Sequence, residues 1–103
     1  MFLARVIGSV VSTKKDEAMK GRKLVVLRPL LVDEANPAQL RSGANTIVAV
    51  DALGAGLDEV VLFCQGSSAR QASGMKTLPV DAVVVGIVDT VEVLNRRVYP
   101  AQS

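Results

Sequence analysis

Between Phe2 and Thr13 the apolar residues fall on alternate positions. Phe2, Ala4, Val6 and Val10 share one face with Gly8, while Arg5, Ser9 and Thr13 share the other. A period of two belongs to a strand with one face buried, so a first strand is expected here. Lys23–Val32 (KLVVLRPLLV) reads as a second strand, with Pro29 marking an edge or a bulge because proline has no N–H for a ladder. Thr46–Asp51 (TIVAVD) and Glu59–Gln65 (EVVLFCQ) read as a third and a fourth, joined by the glycine-bearing turn Gly54-Ala55-Gly56. A fifth, Val80–Leu94, is apolar on both faces through Val83, Val84, Val85, Ile87 and Val88. Such a strand is covered by the core on one side and by something else on the other. Before it, Ser67 or Ser68 is suited to cap a short helix, Ala69-Arg70-Gln71-Ala72 to form its one or two turns, and Gly74 to stop it.

Five strands with one short helix before the last long one describe a mainly all-β chain. The expected architecture is a small OB-like β-barrel, closed or partly open. No linker, low-complexity stretch or internal repeat divides residues 1–103, so one domain is expected, with a core over about 2–93 and a tail over 94–103. The turn-rich connection Asp33–Asn45 reads as a loop. The tail either adds a short strand around Val98 and Tyr99 or stays mobile.

Composition sharpens this picture. Half of the 103 residues are apolar, and 18 of them are Val against 11 Leu and 3 Ile, a β-branched excess that suits strands. Mean hydropathy is +0.35. A domain of this size hides only about 60–70% of its chain's surface, so the surplus is expected to be buried against other copies. The chain has no His, which excludes Ser-His-Asp triads, Cys-His dyads and His-ligated metal sites within one copy. Its single Cys makes no internal disulfide, so a reducing, cytoplasmic setting is expected. The N-terminal residues MFLARVIG show no basic region before an apolar core and no cleavage site, so no signal peptide is expected. The longest apolar or glycine run, Ala82–Val88, falls far short of the roughly 20 residues of a membrane helix, so no membrane partner is expected.

Charge is unevenly spread. Residues 1–28 carry seven basic and two acidic groups, a net of +5, and the other 75 carry five basic and eight acidic groups, a net of −3. The basic excess centres on the loop TKKDEAMKGRK between the first two strands. In an OB-like barrel such a loop can grip nucleic acid, and a single-stranded nucleic-acid-binding module is the alternative reading. Single-strand binding relies on aromatic platforms, and Phe2, Phe63 and Tyr99 are the only aromatics, with Phe63 in an apolar strand. The plainer reading is a solvated loop.

The candidate chemistry is sparse. Gly54-Ala55-Gly56 lacks the third glycine and the following helix of a dinucleotide site, and a tight turn needing positive φ accounts for both glycines. Gly66-Ser67-Ser68-Ala69-Arg70 opens the short helix and offers backbone N–H groups and a guanidinium to an anion, which would suit an enzyme or ligand carrier. Asp51, Asp81 and Asp89 each punctuate a strand, where aspartates cap turns or pair with arginine. Cys64 reads as a buried, unreactive thiol. No catalytic constellation, cofactor site or metal site emerges.

The order of these motifs is itself informative. Gly8-Ser9-Val10-Val11-Ser12-Thr13-Lys14-Lys15, Gly21-Arg22-Lys23-Leu24, Ala49-Val50-Asp51-Ala52-Leu53-Gly54-Ala55-Gly56 and Glu59-Val60-Val61-Leu62 come in turn. Gly66-Ser67-Ser68-Ala69-Arg70, Pro79-Val80-Asp81 and Gly86-Ile87-Val88-Asp89 follow. The set resembles the bacterial microcompartment vertex family of EutN/CcmL type, found in carboxysomes and in ethanolamine- and propanediol-type organelles. The resemblance implies a non-enzymatic structural protein in a shell within the cytoplasm. It implies a five-stranded barrel that forms homopentamers shaped like truncated pyramids, sits at the five-fold vertices and meets hexameric shell proteins. It also implies that Gly54, Ala55 and Gly56 lie at or near the subunit contact. Ser67, Ser68, Ala69 and Arg70 are expected at a contact between protomers or near the five-fold axis, where a narrow opening is expected. Asp33–Asn45 is longer than some relatives carry, and Asn95–Ser103 lies outside the matching motifs.

Overall fold

The computed structural model describes residues 1–12, 17–37, 39–72 and 80–100. Eight strands are present among them: β1 (Phe2–Val10), β2 (Lys23–Val32), β3 (Leu40–Ser42), β4 (Ile47–Asp51), β5 (Val60–Gln65), β6 (Ala82–Ile87), β7 (Val91–Val93) and β8 (Arg96–Tyr99). Five of them close a barrel in the order β1-β5-β6-β4-β2, with β2 returning to pair with β1. Every pairing in the ring is antiparallel except β4 with β6. The five-stranded barrel expected from the hydrophobic pattern is therefore present and closed, and closure leaves it no free edge.

The period of two accounts for the interior. Ala4, Val6, Val25, Leu27, Ala49, Val61, Phe63, Ala82 and Val84 point inward, and Ala55 from the β4–β5 loop joins them. These are mostly small side chains around one phenylalanine, which suits a five-stranded ring too narrow to hold more than its own side chains. The barrel is a packed core.

Several expectations are corrected by long-range pairing. Val80–Leu94 is not one strand: β6 ends at Ile87, the chain leaves the barrel over 88–90, and β7 turns back to pair with β8. Two residues, Leu94 and Asn95, make that turn with φ of 51° and 61°, as a tight two-residue hairpin demands. The tail thus forms a strand, and Val98 is buried at its base. The connection 33–45 also carries a strand. β3 extends the sheet beside the C-terminal part of β2, where β4 no longer reaches. Pro29 sits at that changeover, between Leu27, the last residue paired to β4, and Leu30, the first paired to β3.

The second apolar face of β6 is covered from within the same chain. Val83 packs with Val50, Val80 and Ala69 in a cluster outside the barrel, with Met19, Leu24, Ala72 and Val85 around it. Ala69 belongs to the segment expected to be a helix, and that segment is a 3₁₀ turn, Gly66–Gln71. It starts earlier than expected, is preceded by Gln65 and has no side-chain cap, so neither Ser67 nor Ser68 caps it. Extended backbone at Ala72 ends it. The first strand ends at Val10, short of the expected Thr13, since Val11 and Ser12 already lie outside the β1–β2 pairing; the proposed stop at Gly74 lies outside the described residues.

Candidate subunit-contact site

Gly54, Ala55 and Gly56 occupy a loop over 52–59 that crosses the mouth of the barrel. Its anchor is Asp51, whose side chain is fully buried at the end of β4. Asp51 continues the inward parity of Ile47 and Ala49 and directly opposes Lys23 in the β2–β4 register. One carboxylate oxygen accepts the Leu53 N–H at 2.9 Å and the other the Ala55 N–H at 2.7 Å. Lys23 Nζ stands 3.6 Å from Asp51 Oδ2 and donates to the Ala55 carbonyl at 2.8 Å. A buried carboxylate is costly unless it is paired and hydrogen-bonded, and the loop supplies both kinds of partner. The expectation that this aspartate caps a turn is met; its ionic partner is a lysine rather than an arginine.

The two glycines serve different needs. Gly54 has φ +83° with open space where a side chain would go, so it is required by its backbone angle. Gly56 has no positive φ. A Cβ there would stand 3.2 Å from Glu59 Oε1, which accepts the Gly56 N–H at 2.6 Å, so its need is one of close approach. Asp58 closes the loop onto β1: its N–H donates to the Val6 carbonyl at 2.8 Å, and the Asp58 carbonyl accepts from Arg5 Nη1 at 2.8 Å. Against this fixed backbone, Leu53 and Leu57 remain 50% and 68% exposed. A recess of about 330 Å³ opens beside the loop, lined by Val6, Gly8, Ser9, Lys23, Val25, Ala55, Gly56 and Leu57.

The Gly66–Arg70 segment lies on the other side of the barrel wall. Gly66 has φ +65° and donates its N–H to the Asp81 carbonyl at 2.7 Å, tying the turn to the start of the β6 segment. Ala69 is fully buried in the outer cluster and Ser67 is exposed. The side chains of Ser68 and Arg70 lie outside the described residues. Ala55 belongs to the interior cluster and Ala69 to the outer one, so the two motifs are not gathered into one pocket.

The other candidates disperse. Asp81 and Asp89 are exposed, and among the described residues no three His, Cys, Asp or Glu side chains converge as a metal site would need. Cys64 is half-buried rather than buried. Of the basic groups in 1–28, Arg5 also lies 5.7 Å from the Tyr99 ring, Arg28 donates to the Gly43 carbonyl at 3.4 Å, and Lys20 pairs with Glu17 at 2.8 Å. With Lys23 these cations have partners inside the chain; Lys14 and Lys15 lie outside the described residues. Phe2 is half-exposed but stacks on buried Phe63, with ring centroids 5.5 Å apart.

Sequence reasoning missed the Lys23–Asp51 pair and the exposed leucines of the loop. A signal for the first existed. Asp51 sits at an inward position of an alternating strand, where a charge demands a buried partner.

The barrel is filled by its own side chains, and Asp51, Lys23 and Glu59 are used to fix a surface loop. Residues 1–89 match the family described as ethanolamine utilisation protein EutN/carboxysome. The chain is 50% identical over 99 residues to the carboxysome shell vertex protein CcmL of Gloeobacter violaceus, covering 96% of this chain and 93% of that protein. It superposes on the solved structure of that CcmL with a TM-score of 0.82, covering 96% of each chain. On the pentameric microcompartment shell protein GrpN of Rhodospirillum rubrum the TM-score is 0.75 at 47% identity, covering 90% of this chain and all of that one. The chain belongs to the EutN/CcmL family of microcompartment shell vertex proteins, a structural family without enzymatic activity.

Proposed function

We propose that five copies of this chain form a ring that caps a five-fold vertex of a bacterial microcompartment shell and meets hexameric shell proteins along its outer edge. The observation that carries this reading is the match, along the whole barrel, to a relative described as a pentameric shell protein. The physical features agree with it. The barrel interior is packed by its own side chains, and apolar residues remain exposed on a loop whose backbone is held by side-chain bonds. A flat layer of six-fold tiles has no curvature, and five-fold units are the simplest way to close it. In this reading Gly54, Ala55 and Gly56 shape the contact between neighbouring subunits. Ser67, Ser68, Ala69 and Arg70 lie at a contact or around the five-fold axis.

Co-expression with hexameric shell proteins of the same organelle tests the role. Closed polyhedral particles are expected only when this chain is present, with open sheets or tubes in its absence. The same open products in both cases, seen by electron microscopy, would remove the vertex reading.

A further inference from the structure

We propose that the ring closes by a knob-and-recess contact. The loop 52–59 of one copy, led by Leu57, seats on the outer face of β2 and β4 of the next copy, in the recess formed by Met19, Leu24, Val48, Val50 and Val80. This rests on the pentamer reading and specifies which two surfaces meet.

Five-fold symmetry sets the requirement. A self-complementary patch produces dimers, whereas a ring needs two different surfaces on each copy that fit one another head to tail. The chain presents such a pair. On the loop, Leu57 is two-thirds exposed and Leu53 half-exposed, yet the backbone beneath them is fixed by Asp51, Lys23, Glu59 and Arg5. A protrusion already held in one conformation loses little freedom on binding. On the outer face, Val50 and Val80 form a buried floor, Val48 is half-exposed, and Met19 and Leu24 border a recess of about 270 Å³. Methionine at the border lets the recess adapt to what enters. The two surfaces share no residue, so one copy can offer both at once.

Charge matches this assignment. Arg22, half-buried, stands just before β2 and two residues from Leu24, and Asp81 lines the recess. On the loop side, exposed Asp58 follows Leu57, and Arg5 is bound to the Asp58 carbonyl. Each surface therefore carries one cation and one carboxylate, and the head-to-tail contact pairs Asp58 with Arg22.

Cysteine cross-linking tests the contact. In a Cys64→Ala background, Leu57→Cys and Val48→Cys in the same chain should give, on mild oxidation, a denaturing-gel ladder that ends at five. Mixed single variants should give nothing beyond dimers. A five-protomer species by native mass spectrometry without the ladder, or a ladder ending at two, overturns the contact and leaves the pentamer standing. A parent chain that stays monomeric in the same measurement removes the pentamer reading, and this proposal with it. As a second arm, Asp58→Lys and Arg22→Asp should each lower ring affinity at least tenfold, and the pair should recover it. Equal loss in the double variant, with each protein folded by circular dichroism, counts against the pairing.

Discussion

Asp51 shows how much of this protein depends on one inward-facing charge. Its carboxylate holds two loop N–H groups and stands beside Lys23, whose ammonium in turn fixes the Ala55 carbonyl. Asp51→Ala leaves two N–H groups without their acceptor and Lys23 without its counter-ion, though still bonded to the Ala55 carbonyl, and is expected to cost about 2–4 kcal/mol in urea unfolding at fixed protomer concentration. Asp51→Asn keeps a hydrogen-bond acceptor but loses the ion pair. Because Lys23 is half-exposed, its cost should be smaller, about 1–2 kcal/mol. Gly54 and Gly56 should respond differently. Gly54→Asn should be tolerated within about 1 kcal/mol, since asparagine visits positive φ, and Gly54→Val should be markedly worse although nothing crowds the site. At Gly56, alanine meets only the end of a flexible glutamate, so a cost near that of one hydrogen bond, about 1 kcal/mol, is expected in the same assay. The GAG motif was visible in the chain as a turn. The distinct reason for each glycine was not, because it depends on where Glu59 and the loop backbone come to rest.

At the scale of elements, the β7–β8 hairpin was the least legible part. Val91 and Val93 look like the continuation of an apolar strand, and only pairing with Arg96–Tyr99 places them outside the barrel. Leu94 holds a positive φ and is three-quarters exposed, a combination unfavourable to a bulky side chain. Leu94→Gly should therefore leave the hairpin intact and shift stability by no more than about 1 kcal/mol, with a gain if relief of strain outweighs the added freedom of the unfolded chain. Val98 is the residue that docks the hairpin, so Val98→Ala should cost about 1–2 kcal/mol and speed hydrogen exchange in β7 and β8 ahead of the barrel. The barrel strands were legible, because their alternation is local. Their ends were less so: 88–90 departs from the barrel where β5 has no further residue to offer beyond Val60.

For the whole molecule, the closed barrel takes up part of the chain's apolar surplus, and the proposed ring would take up more. Phe63 is the largest fully buried side chain among the described residues, and Phe63→Ala should cost about 3–5 kcal/mol and abolish assembly by unfolding. Leu57→Asp should act the other way: a folded chain by circular dichroism, with the five-protomer species lost in native mass spectrometry. Loss of fold in that variant would mean that the loop serves the barrel more than the contact.

The number of barrel strands, the absence of a catalytic constellation and the resemblance to a vertex family were all present in the order of residues. Each rests on period, composition or motif, which are properties of near neighbours along the chain. The fate of the valine surplus was not. The pattern pointed to β6 as a strand with one face free for a neighbouring copy, yet Val83 is covered by Val50, Val80 and Ala69 of its own chain. Which surface is satisfied internally depends on contacts between segments far apart in sequence, such as the 3₁₀ turn against β4 and Lys23 against Asp51. Those contacts join segments that only the closed barrel brings together, and the leucines of loop 52–59 and Val48 are among the apolar side chains it leaves exposed.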